Sequence, residues 1–263
     1  MCRLLGIVSD QPASITDVLA DDLRLFADLS QERHGDGWGA AWDDGGEIEV
    51  VTSVEPAFRC DSFDRHVSQR RSTASLVHLR WATMGLAVTA NNTHPFSRSG
   101  AAFAHNGSVH DIEALEGLVA PSLRAGTVGD TDSERYFLAI LTRMRDLPAA
   151  DAMRETLVAI DEVSSYSSLN SILLTPDQLV VGSMFDPTRT DGEPEEYYHL
   201  RVKNSADEVV IASSGWPQPG WSLLPNRCVM TVDRRTRAVS VVSVDTGLPI
   251  ELETVPSTAP ALL

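Results

Sequence analysis

The sequence predicts an α+β fold with largely antiparallel sheets, on three observations. Short apolar runs bounded by Gly, Pro, Asn and Asp recur from Cys2 to Ala104 and again from Leu169 to Val244. Between these blocks lie two longer stretches whose apolar residues recur at helical spacing. No internal repeat and no Gly/Ser-rich or Pro-rich linker separates them, so a single domain is expected.

Taken in order, Cys2 to Val8 reads as a short buried strand. Ser14 to Leu29 reads as one helix: Ser14 and Asp17 form a capping-box-like start, and Val18, Leu19, Leu23, Phe26 and Leu29 fall on one face. A Gly-rich loop follows. Trp38 to Trp42 and Ile48 to Val54 then flank Asp43-Asp44-Gly45-Gly46, a hairpin signal. Ser75 to Arg80 and Ala101 to Ala104 read as strands separated by a polar, Asn-rich loop. Two helices are expected over Asp132 to Arg145 and Ala150 to Val163, parted near Pro148.

Six short strands complete the pattern, over Leu169 to Leu174, Leu179 to Met184, His199 to Lys203, Glu208 to Ser213, Cys228 to Val232 and Ala238 to Val244. The acidic, turn-rich segment from Asp186 to Glu196 is expected to be a solvated loop. The domain is placed at residues 2–253, with 254–263 as a flexible tail.

Composition narrows the function classes. The 263 residues carry 21 Lys+Arg against 37 Asp+Glu, a formal net charge of -16. An acidic surface repels nucleic-acid phosphates and anionic lipid headgroups, so no nucleic acid and no membrane is expected as a partner. Three cysteines, Cys2, Cys60 and Cys228, without a C-x-x-C or Cys/His spacing argue against a disulfide framework or a structural metal. No signal peptide and no membrane-spanning run is evident, which gives a cytoplasmic expectation.

Six places can carry chemistry. Cys2 follows Met1 directly, and removal of Met1 would put a thiol and a free α-amine on one residue. Such an amine has a pKa of roughly 7.7–8.0 and can take the thiol proton. Taken alone, Cys2 reads more readily as a small buried hydrophobe, as free cysteines usually are. Arg33-His34-Gly35-Asp36-Gly37-Trp38-Gly39 lets the backbone approach another group closely, or is simply a tight loop. His78-Leu79-Arg80-Trp81-Ala82-Thr83-Met84-Gly85 puts an arginine fork at a strand end, suited to a carboxylate or to a surface ion pair. Asn91-Asn92-Thr93-His94-Pro95-Phe96 is by itself a polar loop. His105-Asn106-Gly107 offers a side-chain amide and a backbone N–H to one developing oxyanion, although Asn-Gly is also a turn signal. In Gly129-Asp130-Thr131-Asp132-Ser133-Glu134, Asp132 is either a helix N-cap or an acceptor for an ammonium group.

In this chain order, the motifs resemble those of the class II glutamine amidotransferases, which are N-terminal-nucleophile hydrolases. The resemblance is dense from Cys2 to Arg145, and Leu169-Asn170-Ser171-Ile172-Leu173-Leu174 is similar to a later family strand. It implies a four-layer αββα sandwich with two mainly antiparallel sheets. It also implies Cys2 as nucleophile with its own α-amine as base, and Asn106 and Gly107 as oxyanion hole. Arg80 and Thr83 would hold the α-carboxylate of the glutamyl group and Asp132 its α-ammonium. Trp81, Gly107 and the Gly37 loop would shape the slot. No cofactor or metal is required, and His34, His94 and His105 would be structural or positioning residues.

Departures qualify the resemblance. Met84 stands where glucosamine-6-phosphate synthase-like members have His, and the Arg33 loop is shorter than the R-G-P-D form of the large synthases. Small stand-alone members similar to the γ-glutamyl hydrolase of ergothioneine biosynthesis share a P-G-W segment that Gly215-Trp216-Pro217-Gln218-Pro219-Gly220-Trp221 resembles, or else that loop is hydrophobic packing. That enzyme has Ser after the Arg, whereas Arg80-Trp81 is followed by Ala-Thr. The chain length leaves no room for a synthase domain beside the sandwich. The expected activity is therefore cleavage of the γ-amide of glutamine or of a γ-glutamyl amine. The alternatives are a glutaminase subunit supplying ammonia to a separate synthetase partner, and a non-catalytic glutamine-binding module, which retention of Met1 would favour.

Overall fold

The computed structural model describes residues 2–252, apart from 32, 44–46, 84, 190 and 191. Its thirteen strands among those residues are β1 Arg3–Ser14, β2 Trp38–Asp43, β3 Ile48–Ser53, β4 Arg71–Leu79, β5 Phe96–Arg98, β6 Ala101–Val109, β7 Tyr166–Leu174, β8 Gln178–Ser183, β9 Leu200–Asn204, β10 Glu208–Ser213, β11 Ser222–Leu223, β12 Cys228–Asp233 and β13 Val239–Ser243. The main helices are α1 Ile15–Leu19, α2 Asp22–Asp28, α3 Ile112–Gly117, α4 Pro121–Arg124, α5 Asp132–Arg143 and α6 Ala149–Val163, with short helical turns at Ala57–Arg59 and from Asp61 to Ser68.

The strands form two antiparallel sheets. One has seven strands in the order β11-β9-β10-β1-β4-β2-β3, and the other has six in the order β13-β12-β8-β7-β6-β5. Alternation along each strand decides what goes where. Leu4, Val8, Ala41 and Leu76 of the first sheet meet Ala102, Ala104, Ile172 and Val181 of the second, forming a core between the sheets. Small residues let the sheets approach: a Cβ on Gly6 would lie 3.1 Å from side-chain atoms of Ile172 and Leu179. The opposite face of the first sheet, with Leu5, Ile7, Trp38 and Trp42, packs on Leu19, Leu23, Phe26 and Phe63. The outer face of the second, with Phe103, Leu169 and Leu173, packs on Tyr136, Phe137, Leu157 and Ile160 of α5 and α6. The result is a helix–sheet–sheet–helix sandwich, as the resemblance implied. Each such large apolar side chain contributes roughly 1.5–3 kcal/mol on burial.

A buried ion pair also ties the two sheets together. Arg234, after β12, pairs with Asp43 at 2.5 Å, with both side chains more than nine-tenths buried, and donates to the Thr175 and Pro176 carbonyls.

Several expectations are sharpened or corrected. The helix expected over Ser14 to Leu29 is two helices. Ser14 and Asp17 do form a reciprocal capping box, but Ala20 adopts φ 50° and its N–H closes α1 on Thr16. Helical spacing persisted across the break because Leu19, Leu23 and Phe26 still enter one cluster. The hairpin is present in register, with Trp42 opposite Glu49 and Asp43 opposite Ile48. Residues 44–46 of its turn lie outside the described residues, as does the tail at 254–263. Helices α3 and α4 were not foreseen; Asp111 caps the first and Pro121 starts the second. The Trp216–Trp221 loop is hydrophobic packing, with Trp216 edge-on to Phe26 at 5.6 Å. No helix among the described residues is long and apolar enough to cross a membrane.

Gly39 supplies a test of this packing. A Cβ there would fall 2.1 Å from the His94 carbonyl and 2.9 Å from Pro95 Cδ, whereas one on Gly117 would meet nothing within 4 Å. Gly39→Ala is expected to lower unfolding stability by about 2–3 kcal/mol, while Gly117→Ala holds or raises it by up to about 1 kcal/mol. Denaturant melts of both variants check this, and equal midpoints would contradict the packing.

Candidate active site

Strand pairing brings the first residues of the chain to one end of the sandwich. In the β1–β4 pair Arg3 lies opposite Leu79, so Cys2 falls beside the segment that leaves β4. There the Trp81 N–H donates to Cys2 Sγ at 3.5 Å, and the thiol reaches the Trp81 carbonyl at 3.6 Å. Cys2 also continues the alternation of Leu4 and Val8, which face the second sheet. It is half-buried. Burial pushes its thiol pKa up, opposed by the Trp81 hydrogen bond and the Arg80 charge. At neutral pH the thiol is therefore protonated and requires a base to become a nucleophile.

The segment 80–82 is braced from behind by the Gly-rich loop. The Arg80 N–H donates to the Gly37 carbonyl at 2.8 Å, the Asp36 N–H to the Arg80 carbonyl at 3.1 Å, and the Ala82 N–H to Asp36 Oδ2 at 2.8 Å. Gly37 has φ 124°, and a Cβ on it would strike the Ser53 carbonyl at 2.4 Å. This loop was expected to shape the slot itself; Gly37 does not line the cavity, and the loop instead supports the segment 80–82 that does. The Arg80 side chain is 4% exposed, donates once to the Ala87 carbonyl at 3.1 Å, and leaves Nη1 buried without a partner. Burial lowers its pKa, with Cys2 and Asp36 opposing.

From the second sheet, His105, Asn106 and Gly107 lie inside β6 and pair with β7, Asn106 opposite Asn170. They form no hairpin turn. Asn106 is 1% exposed, yet both polar atoms of its amide lack a partner. Only glycine fits at 107, because a Cβ would sit 1.8 Å from the Ser168 carbonyl. The register shifts between Gly107 and Val109, and the Val109 N–H freed there donates to Asp132 Oδ2 at 2.7 Å. Asp132 is the first residue of α5, where the helix dipole favours a carboxylate. The N-cap is Thr131, whose hydroxyl accepts from the Glu134 N–H, so Asp132 does not serve as the cap.

These elements enclose a cavity of about 680 Å³, lined among others by Cys2, Arg80, Trp81, Thr83, Gly107 and Asp132. Six of the seven expected site residues thus share one cavity. Asn106, the seventh, is buried in β6 next to Gly107, on the inter-sheet face with Ala102 and Ala104. Met84, the departure in the R-W-A-T motif, lies outside the described residues.

Three buried histidines support this end of the molecule. His94 Nδ1 lies 3.0 Å from His78 Nε2 and accepts the His105 N–H at 3.4 Å; His105 Nε2 lies 2.9 Å from the Ser168 carbonyl and its Nδ1 2.9 Å from Ser133 Oγ. Burial lowers the pKa of all three, so each is neutral at pH 7. The supporting residue missed from sequence is Asn92. It accepts the Asp130 N–H at 2.9 Å and donates to the Ala87 carbonyl at 3.2 Å, linking the loop before Asp132 to the carbonyl that Arg80 also uses. Its motif was singled out, but nothing local announces contacts 38 residues away. Among the described residues, no group of three or more His, Cys, Asp and Glu is arranged to hold a metal ion.

Comparison with known proteins places this geometry in context. The family model described as class-II glutamine amidotransferases matches residues 1–186. A γ-glutamyl-hercynylcysteine sulfoxide hydrolase of Mycobacterium tuberculosis (strain CDC 1551 / Oshkosh) is 27% identical over 89% of this chain and 94% of its own. Among solved structures, a glutamine aminotransferase class-II domain protein from Silicibacter pomeroyi superposes with TM-score 0.63 at 18% identity, covering 90% of this chain and 98% of that one. Glutamine phosphoribosylpyrophosphate amidotransferase from B. subtilis gives TM-score 0.63 at 14% identity, over 93% of this chain and 50% of its own. Both structural likenesses establish the shared fold.

The three cysteines differ in access. Cys60 and Cys228 are buried, and burial pushes the Cys228 thiol up to about 12. Native-state alkylation with iodoacetamide is expected to modify Cys2 alone. The rate should rise roughly tenfold per pH unit through neutrality, because a raised thiol pKa leaves the thiolate scarce there. Peptide mapping reads the site, and a rate already flat at pH 7 would contradict the raised pKa.

Proposed function

This chain belongs to the class II glutamine amidotransferases, and we propose that within them it is a free-standing γ-glutamyl hydrolase using the N-terminal thiol of processed Cys2. One observation carries the proposal: buried donors without partners, Arg80 Nη1 and the Asn106 amide, occur in the segments that hold Cys2 and Asp132. An unpaired buried polar group costs about 1–3 kcal/mol, a cost that a ligand supplying acceptors would relieve.

A γ-glutamyl group fits the available charges. Its α-carboxylate meets Arg80 and Thr83, and its α-ammonium meets Asp132, which holds the zwitterion from both ends. The side chain then extends past Trp81 and Gly107 towards Cys2. Removal of Met1 frees the α-amine, which takes the thiol proton. The sulfur attacks the γ-carbonyl, and the oxyanion is received by the Asn106 amide and the Gly107 N–H. Collapse breaks the C–N bond as the protonated α-amine returns its proton to the leaving amine. Water, deprotonated by the same amine, hydrolyses the γ-glutamyl thioester to glutamate and the free thiol.

Two features favour a conjugate over plain glutamine. A cavity of about 680 Å³ has the capacity typical of drug-sized ligands. The relatives named γ-glutamyl-hercynylcysteine sulfoxide hydrolase align along nearly their whole length. A γ-glutamyl group linked to a larger amine is the substrate class proposed, acted on in the cytoplasm.

An electrophilic glutamine analogue is expected to add once, on Cys2, in protein that has lost Met1, as read by intact mass and peptide mapping. Processed protein that gains no adduct would remove the catalytic reading. Asn106→Ala should lower kcat about 10²–10³-fold with intact folding. Across a panel of γ-glutamyl amides, a preference for a bulky amine is expected. A strong preference for glutamine itself would favour a glutaminase subunit serving a separate synthetase.

A further inference from the structure

The histidine cluster contains more information than burial alone. His94 follows the loop at Ala90–Asn92 and lines the cavity beside Arg80, Asn92 and Cys2. Its ring has two nitrogens, and their roles can be assigned by counting protons. Nδ1 accepts the backbone N–H of His105, which can only donate, so Nδ1 carries no proton. His78 Nε2, 3.0 Å from the same Nδ1, must then be the donor of that contact. A neutral His94 therefore carries its one proton on Nε2. That nitrogen is neither hydrogen-bonded within the protein nor sealed from the cavity, whereas His78 Nδ1 is buried without a partner. His78 itself does not line the cavity.

We propose that His94 is a neutral hydrogen-bond donor to the substrate's α-carboxylate, beside the unspent Arg80 Nη1, and that His78 is the positioning residue that fixes its tautomer. This rests on the γ-glutamyl reading of the site. A neutral imidazole suits the role. It adds a directed N–H without a second buried cation next to Arg80, and without a free base competing for the Cys2 proton. Burial keeps the ring neutral, reinforced by the charges that face it, His78 from β4, His105 from β6 and Arg80 just after β4, and the Phe96 ring packs 4.7 Å away between centroids. None is a carboxylate. Asp132 meets the cluster at Ser133 and by its charge at His105, and is not among the groups that shift His94.

The test uses the full chain, uniformly labelled with ¹⁵N. Long-range proton–nitrogen spectra, assigned with His94→Gln and His78→Gln, report each ring's tautomer. His94 is expected as the neutral Nε2–H tautomer, gaining a second proton only well below the ordinary imidazole pKa. An Nδ1–H tautomer, or protonation near its ordinary pKa, would overturn the proposal. Kinetics with γ-glutamyl-p-nitroanilide give a second readout. His78→Leu should raise KM about 5–10-fold with kcat changed less than about twofold. His78→Gln, which keeps an amide donor near the same place, should restore KM. Equal KM in the two variants would remove His78 from the role. Should His78→Leu fail to fold, the spectra of the wild type and of His78→Gln still decide. Wild-type protein that turns over no γ-glutamyl amide would count against the hydrolase reading and leave the tautomer result standing by itself.

Discussion

The antiparallel register of β1 on β4 is the constraint from which the site follows. Pairing Arg3 with Leu79 fixes the first residue before β1 against the first residues after β4, so the nucleophile candidate and the arginine fork are neighbours by strand geometry. A slip of one residue would send Leu4 and Val8 to the wrong face and separate Cys2 from the Trp81 backbone. The hydrophobic cost of that slip, several large side chains moved from core to the other face, protects the chemistry. The second sheet contributes by the same rule. The pairing of β6 with β7 holds Asn106 on the inter-sheet side, and the irregularity after Gly107 frees the Val109 N–H that Asp132 accepts.

Polar groups near the cavity divide into two kinds. Most of the supporting ones are satisfied, with His78 Nδ1 the exception: Asp36 holds the Ala82 N–H, Asn92 bridges two loops, Glu134 accepts the Val128 and Gly129 amides, and His94 Nδ1 is used twice. Those that would meet a substrate are unspent: Arg80 Nη1 and the Asn106 amide. Rigid, satisfied support behind unsatisfied donors is what electrostatic preorganisation requires, since donors already aimed need no rearrangement when charge develops. The raised Cys2 pKa belongs to the same logic. A thiol kept protonated by burial is a weak nucleophile, and in the proposed route the freed α-amine of Cys2 is the base that activates it.

Much of this was legible in the sequence because local chemistry wrote it there. Alternating apolar runs marked most of the strands, Ser14 and Asp17 announced the first helix, and the ordered motifs around Cys2, Arg80, Asn106 and Asp132 pointed to one site. What escaped depended on distant partners. The break at Ala20 leaves the apolar spacing unchanged, so periodicity could not detect it. Asn106-Gly107 has the composition of a turn, and only pairing with β7 makes it strand. The Gly37 loop looked like a wall of the slot, whereas its hydrogen bonds brace the segment 80–82 from behind. His78 sits two residues from Arg80 in the same motif. Its link to His94 joins the end of one sheet to a loop of the other, which spacing does not encode.

In the proposed route the γ-glutamyl group passes through a covalent bond to Cys2. Rapid acid quench of the processed enzyme during turnover of a γ-glutamyl amide, followed by peptide mass mapping, tests it most directly. A γ-glutamyl adduct on the N-terminal cysteine peptide is expected before steady state, and none in Cys2→Ala. Turnover with no adduct at any time, or an adduct that persists in Cys2→Ala, would contradict it.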